Sequence, residues 1–306
     1  MRFGLHLPSA QAGANASDIL DVARTADRLG FDSVWMFDHL FTPVDLDSKY
    51  PYSRDGSYAL DAKDPFFDPL GLYGVIAGAT ERIRMGTGVM IAAYRHPVIL
   101  GKMLATIEQF APGRIVLGLG RGWMEEEFDA LGVAFERRGA RLEEYIKALR
   151  ALWAGEPSSF QGEFYSWGEA GFLPAPTTKL PILIGGHGDA ALRRVAELGD
   201  GWVVTTSRGQ GAGVDAVAAR LDVLRAEMDK RGRDFSELEI VYPNLLWFSD
   251  QTNPKMPLTG PAEEIAASVK RLEEIGVTTA HMIVFGPGPL VCETAERFTE
   301  EVLPLL

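Results

Sequence analysis

The chain has 306 residues, about twice the usual length of one domain. Its 42 acidic residues outnumber its 30 basic residues, and the formal net charge of −12 argues against nucleic acid or an anionic membrane surface as a partner. Hydrophobic residues make up 46%, enough for a large core, and the single cysteine, Cys292, excludes an internal disulfide and a cysteine-based zinc cluster. The start MRFGLHLPSA lacks the long apolar run of a signal peptide, and no stretch of about 18 apolar residues follows, so we expect a cytoplasmic protein.

Short apolar segments alternate with amphipathic segments along the whole chain. Predicted strands begin at Arg2, Ser33, Ile83, Arg114, Pro181, Gly201, Leu238 and Thr279. Predicted helices are SDILDVARTADRLG, with Ser17 as N-cap and Gly30 as its end, then 66–80, 97–110, 137–153, 189–198, 212–231, 261–275 and a closing helix. Eight strand–helix units at this length predict one domain over residues 1–306, a closed (β/α)₈ TIM barrel. An open doubly wound sheet is the alternative, but no charged or proline-rich boundary divides the chain.

Two irregular stretches interrupt this alternation, one after strand 2 (41–64) and one before strand 5 (155–179). Long loops in compact domains are usually functional or disordered. We therefore expect both to be lids over the barrel mouth, the first mobile and carrying Tyr50, Tyr52 and Tyr58 near the mouth. A packed surface loop is the alternative for the first stretch.

The C-terminal strand ends, where barrel chemistry occurs, carry few catalytic acids. Asp38 is the only acid at a predicted strand end, which argues against the two carboxylates of a retaining glycosidase. The strands offer no lysine for a Schiff base. His6, His39 and His281 could converge on a metal, but only one carboxylate accompanies them, so no metal site is predicted.

Three predicted strand ends are rich in glycine, at 86–89, 118–123 and 185–188. Glycine lets a bound group approach the backbone closely, which suits a cofactor that brings its own chemistry, although each glycine alone fits an ordinary strand–helix turn. The last segment leads into a helix near Asp189, and a helix N-terminus is a ready anion site. His39 is either a proton-handling group or a core histidine.

Together these segments resemble the bacterial luciferase-like family of flavin- and deazaflavin-dependent oxidoreductases, and most nearly its coenzyme F420-dependent branch. The similar segments lie within residues 29–203 and are LGFDSVWMFDHLFTP, TERIRMGTGVMIAAYRHPVILGKMLATIEQFAPGRIVLGLGRGWMEEEFDALGVAFERRG and PILIGGHGDAALRRVAELGDGW. The resemblance implies a (β/α)₈ barrel with the cofactor at the C-terminal ends of the strands.

The resemblance also implies roles for single residues. Gly88–Val89 would be a non-proline cis peptide behind the cofactor ring. Asp38 and His39 would be catalytic, with His39 handling a proton and Asp38 orienting His39 or bonding the ring edge. The implied cofactor-binding residues are Asp38, Gly88, Val89, Gly120, Arg121, Gly122, Gly185, Gly186, His187 and Gly188, the last four around a phosphate.

Two positions depart from the F420-dependent pattern. Trp123 stands where the sugar-phosphate dehydrogenases of this branch carry a glutamate, which argues against sugar-phosphate oxidation. Arg121 resembles the arginine that light-emitting flavin monooxygenases direct at the flavin phosphate, although those enzymes tend to have histidine in place of Asp38. The cofactor evidence is therefore mixed, with F420 favoured over FMN.

The first hypothesis is an F420-dependent oxidoreductase that transfers a hydride between the deazaflavin C5 and a small organic substrate. The alternatives are an FMNH₂-dependent luciferase-like monooxygenase that uses dioxygen and a non-catalytic flavin- or F420-binding protein. Near the phosphate we expect a positive patch of Arg95, Arg121, Arg193 and Arg208, opposed by Asp189 unless its side chain turns away. A homodimer is expected by resemblance, with faint support from the widely apolar helix 97–110.

Overall fold

The computed structural model describes residues 1–53, 55–205 and 213–306. Eight parallel strands form its barrel: β1 (Arg2–His6), β2 (Ser33–Met36), β3 (Arg84–Thr87), β4 (Ile115–Gly120), β5 (Ile182–Gly185), β6 (Gly201–Val203), β7 (Glu239–Leu245) and β8 (Thr279–Ile283). Each strand pairs with the next, and β1 pairs with β8, so the sheet closes on itself. The predicted (β/α)₈ barrel is confirmed.

Nine α-helices surround the barrel in the described part of the chain: α1 (Ala16–Leu29), α2 (Pro69–Ala79), α3 (Pro97–Phe110), α4 (Glu125–Ala130), α5 (Arg138–Leu152), α6 (Asp189–Leu198), α7 (Val214–Asp229), α8 (Ala262–Glu274) and α9 (Gly288–Arg297). The chain then ends in one π-helical turn and one 3₁₀ turn. None of the described helices has the length and apolar composition that a membrane crossing requires.

Local capping decides where the first two helices begin. The side chain of Asn15 accepts the Asp18 N–H at 3.0 Å, so Asn15 caps α1 and the predicted N-cap Ser17 is wrong; Ser17 instead donates its hydroxyl to Asn15. Asp68 accepts the N–H groups of Leu70 and Gly71, which starts α2 at Pro69 rather than at residue 66. The end of α1 at Gly30, which has φ 81°, is confirmed.

The second irregular stretch has more structure than predicted. Ser158–Gln161 and Ser166–Ala170 form an antiparallel hairpin. One carboxylate, that of Glu144 on α5, accepts the backbone N–H groups of Glu163, Phe164 and Tyr165 at 2.7–2.8 Å and so holds the turn. The predicted start of helix 212–231 and the end of strand 6 at Thr206 fall outside the described residues.

Side chains fill the barrel interior. Trp35, Val116, Leu183, Val203 and Val241 are fully buried there. The indole of Trp35 stacks on His281 at 5.1 Å, and His281 Nε2 lies 3.1 Å from His6 Nδ1. Burial lowers the pKa of His6 to about 3 and that of His281 well below its usual value, so both imidazoles are neutral. Two of the three histidines considered as metal ligands therefore pair with each other inside the barrel.

Arginine ion pairs link neighbouring segments at the N-terminal end of the barrel, and Arg84 makes two of them. Arg84, at the start of β3, donates to Asp32 at 2.6 Å and to Glu239 at 2.9 Å, and its side chain is only 17% exposed. Burial raises the pKa of Glu239, but the hydrogen bonds and charge of Arg84 outweigh burial, and the net pKa is lowered. Charge pairing at the N-terminal end of such a barrel serves stability rather than chemistry, because the chemistry takes place at the C-terminal ends of the strands.

We expect Arg84→Met to lower the free energy of unfolding by about 2–3 kcal/mol, since Asp32 loses its ion pair and Glu239 is left with Arg2 and Thr279. The pKa of Glu239 is lower in the folded state, so its contribution is present at neutral pH and is lost as the pH falls through that folded pKa. The difference in the free energy of unfolding between the original protein and Arg84→Met should therefore become smaller as the pH falls. Urea unfolding at several pH values between 7 and 4 measures this difference.

Arg271→Met is the matched control, because Arg271 pairs with Asp215 where both side chains are mostly exposed. Equal losses of stability in the two variants would contradict the role given to Arg84.

Candidate active site

The chain departs from a regular strand directly after β3. The Gly88–Val89 peptide is cis, as predicted, and Met90–Ile91 then rejoins the barrel beside β4. The Val89 side chain lies over two glycines: a Cβ at Gly120 would collide with one of its methyl groups, and a Cβ at Gly185 would lie 2.7 Å from the other. Gly120 and Gly185, two of the predicted cofactor-binding residues, are thus needed to make room for the Val89 side chain.

His39 is held by a buried carboxylate. Its Nδ1 lies 2.6 Å from Oε2 of Glu127, which is fully buried on α4. Glu127 also accepts the Leu40 N–H at 2.5 Å and the Tyr94 hydroxyl. With only donors around it, the carboxylate places the His39 proton on Nδ1, so that Nε2 is the ring nitrogen left for chemistry.

Asp38 has different partners from those predicted. Its carboxylate is buried and takes a bidentate ion pair from Arg95, at 2.8 and 2.9 Å. It also accepts the Ile91 N–H at 2.8 Å. Burial raises the pKa of Asp38, while Arg95 and Ile91 act in the opposite direction. Asp38 therefore supports the chain after Val89, and the orientation of His39, predicted as one role of Asp38, is carried by Glu127.

Aromatic rings surround His39. The rings of Tyr58, Phe66 and Trp123 have their centroids 5.5, 5.5 and 5.6 Å from that of His39. Tyr50 contacts Trp123 at 5.0 Å and Tyr52 at 5.3 Å. We call the 41–64 segment the lid and Tyr50, Tyr52, Tyr58, Phe66 and Trp123 the aromatic cluster. The lid tyrosines thus lie at the mouth, as predicted; the mobility of the lid stays a prediction.

The loop after β5 leaves the start of α6 open. Gly186 has φ 124°, where a Cβ would lie 2.8 Å from that of Ala191, so glycine is required. Gly188 caps α6 with no side-chain hydrogen bond, and among the described residues no heavy atom lies within 4 Å of the Cβ position there. His187 and Gly188 are exposed. The geometry suits an anion at the helix N-terminus.

The charges expected around this loop are only partly available. Asp189 turns to Arg220, with an ion pair at 2.7 Å, and so is neutralised. Arg95 forms ion pairs with Asp38 and Asp68, so its charge does not contribute to the predicted positive patch. Arg193 is exposed on α6. The fourth member, Arg208, lies outside the described residues.

The turn after β4 carries Arg121, Gly122 and Trp123. Gly122 has φ 79°, and a Cβ there would lie 2.7 Å from the Phe128 ring. Arg121 is exposed and close enough to act on the pKa of Tyr52, which burial raises while Thr205 and Arg121 oppose that shift. The lid thus reaches the ends of β4 and β6 through Tyr52.

Three features of the site were missed from the sequence alone: the buried Glu127, the Tyr94 hydroxyl that donates to it, and the ion pair of Arg95 with Asp38. The only signal for Glu127 was the run Glu125-Glu126-Glu127, which is also typical of an ordinary helix start. In the structure Glu125 is exposed, Glu126 accepts the N–H groups of Asp47 and Ser48 from the lid, and Glu127 is buried. Which of three identical neighbours points inward depends on how α4 docks.

Residues 1–253 match the model of the luciferase-like monooxygenase family, and the chain belongs to this family of enzymes. An uncharacterised protein of Mycobacterium tuberculosis is 33% identical over 269 residues, 88% of this chain and 85% of that protein. An F420-dependent glucose-6-phosphate dehydrogenase of Nakamurella multipartita is 34% identical over 243 residues, 78% of this chain and 65% of that enzyme.

Solved structures share the fold along the whole chain. A monooxygenase from Streptomyces bottropensis superposes with a TM-score of 0.79 at 22% identity and covers 99% of both chains. An F420-dependent secondary alcohol dehydrogenase, solved with an F420–acetone adduct, gives a TM-score of 0.77 at 19% identity and covers 100% of this chain and 99% of its own.

We expect Glu127→Gln to lower the free energy of unfolding by about 1–3 kcal/mol. An amide has one acceptor oxygen for the three donors of His39, Leu40 and Tyr94, and it sets its own N–H₂ against at least one of them. Urea unfolding measures the loss. Glu125→Gln, on an exposed neighbour in the same helix, should change stability by less than about 0.5 kcal/mol. A Glu127→Gln protein as stable as that control would contradict the three-donor site.

Proposed function

We propose that this protein is an F420-dependent oxidoreductase that transfers a hydride between the deazaflavin C5 and a small organic substrate. The observation that carries the proposal is the single imidazole of fixed tautomer, His39 on Glu127, at a barrel mouth where Asp38 and Arg95 already satisfy each other. Such a site moves one proton and leaves the redox chemistry to a cofactor. The choice of F420 is supported by the 34% identity to F420-dependent dehydrogenases.

The residues at the mouth fit such a cofactor. The uncapped N-terminus of α6, entered through Gly185, Gly186, His187 and Gly188, would hold its phosphate. The remainder of the cofactor would be lined by residues after β3 and β4, namely Gly88, Val89, Gly120, Arg121 and Gly122. Bound F420 supplies a two-electron hydride acceptor or donor at C5.

The contribution of this chain is then proton handling and exclusion of water. When an alcohol is oxidised, the carbon-bound hydrogen leaves as hydride with two electrons, and the hydroxyl proton passes to Nε2 of His39. In reduction of a carbonyl, the same nitrogen gives the proton to the oxygen. The aromatic cluster covers His39 and keeps bulk water from it.

An FMNH₂-dependent monooxygenase that uses dioxygen is the second candidate. The exposed Arg121 beyond β4 favours it, because a guanidinium there suits the compact phosphate of FMN. A flavin- or F420-binding protein without turnover is the remaining alternative.

We also propose a homodimer. Val75 on α2 and Ile99, Met103 and Phe110 on α3 are apolar and 50%, 57%, 39% and 78% exposed. Large apolar side chains exposed together on two neighbouring helices are typical of an interaction site. A second copy of the chain is the proposed occupant, and a monomer at micromolar concentration in light scattering would contradict this.

Titration with oxidised and reduced F420 and FMN, followed by absorbance and fluorescence, tests the cofactor. We expect F420 to bind more tightly, with an affinity that falls as salt rises, because screening weakens the attraction between the anionic cofactor and the exposed Arg121. Gly186→Ala should weaken binding about tenfold or more, since its φ of 124° suits glycine alone.

Gly168→Ala is the control, on the exposed hairpin where no described atom lies near the Cβ position. Saturable FMN binding without F420 binding would favour the monooxygenase.

His39→Ala should reduce turnover about 10²-fold or more while the F420 dissociation constant changes less than about threefold. That is the scale expected when a general acid–base group is removed. His96→Asn, which keeps an acceptor for the start of α3, is the control. Equal losses of cofactor binding and turnover in His39→Ala would make His39 structural.

A further inference from the structure

One tyrosine ring of the lid packs against both His39 and Trp123. The Tyr58 ring contacts the His39 ring at 5.5 Å and the Trp123 ring at 5.1 Å, both in tilted geometry. Tyr58 comes from the lid, whereas His39 and Trp123 follow β2 and β4. A six-membered ring with one oxygen substituent is therefore already accommodated beside the imidazole.

Trp123 and Tyr58 differ in how firmly their segments are held. Trp123 follows Gly122, whose φ of 79° is required by Phe128 and whose carbonyl accepts Arg138 Nε at 3.2 Å. Tyr58 also lines a cavity of about 690 Å³ that lies within the lid, between 42–49 and 55–63. The phenol ring thus borders open space into which it can move away from His39, while the backbone before Trp123 is held in place.

The electrostatics around the Tyr58 ring oppose negative charge. Burial raises the pKa of Tyr58 above its usual value, and the nearby Glu127 carboxylate adds to that shift. The rings of the aromatic cluster offer apolar faces and edges, on which neutral rings pack well. An anionic group placed there would lose its hydration and face Glu127.

We propose that the place of Tyr58, against the rings of His39 and Trp123, is the substrate subsite, and that it takes an uncharged six-membered ring bearing a carbonyl or hydroxyl oxygen. The inference rests on the proposed function in taking His39 as the group that meets the substrate oxygen. Trp123 is then the specificity-determining residue, and Tyr58 is a stand-in that the substrate displaces.

The test compares cyclohexanone with 4-oxocyclohexanecarboxylate, which differ by one carboxylate. Binding to the full chain, with and without its cofactor, is measured by saturation-transfer NMR and calorimetry, so turnover is not required. We expect cyclohexanone to bind and the carboxylate to bind about tenfold more weakly or not at all. Equal or tighter binding of the carboxylate would overturn the charge selection.

Two variants separate subsite from scaffold. Tyr58→Ala should strengthen cyclohexanone binding about three- to tenfold, because the competing ring is gone; if Tyr58 were a permanent pocket wall, the affinity would fall, which overturns the proposal. Trp123→Ala should weaken binding about tenfold, with Trp123→Phe recovering most of it. Trp247→Ala, at a tryptophan that is 54% exposed, is the control and should leave binding unchanged.

The outcomes distinguish this inference from the proposed function. Cyclohexanone binding with these variant effects but no F420 binding would retain the subsite and remove the F420-dependent reaction. F420 binding with unchanged cyclohexanone affinity in Tyr58→Ala and Trp123→Ala would retain the cofactor and remove the subsite.

Discussion

The buried carboxylate of Glu127 joins the segments that build the barrel mouth. It accepts donors from His39 and Leu40 after β2 and from Tyr94 after β3, and it stands itself on α4 after β4. A buried charge is tolerated only when such donors surround it. The same contacts that make its burial possible fix the imidazole, so stability and site geometry depend on one group.

The lid connects to the same short helix. Glu126 accepts the N–H groups of Asp47 and Ser48, and the Ser48 hydroxyl accepts the Glu125 N–H at 2.9 Å. Adjacent side chains of α4 thus hold the lid and the catalytic candidate. A displacement of α4 would therefore change both the contacts of the lid and the orientation of His39.

Glycine patterns and local chemistry made much of the fold and part of the site predictable. Regular alternation of apolar and amphipathic segments predicted the barrel because each strand and helix carries its own periodicity. The glycines at 118–122 and 185–188 predicted the close approach of a cofactor, which stays a prediction; in the structure Gly120 and Gly185 accommodate Val89. A pattern of small residues shows that something comes near; it does not show what.

The sequence by itself determined the fold class, the family and the position of His39 at a strand end, because these follow from local periodicity and contiguous motifs. Only the tertiary structure decided that Glu127 rather than Asp38 holds His39, and that Asp38 belongs to Arg95. His39 and Glu127 are 88 residues apart. Such pairings depend on how separate elements dock around the barrel, and neither residue carries a local signal that names its partner.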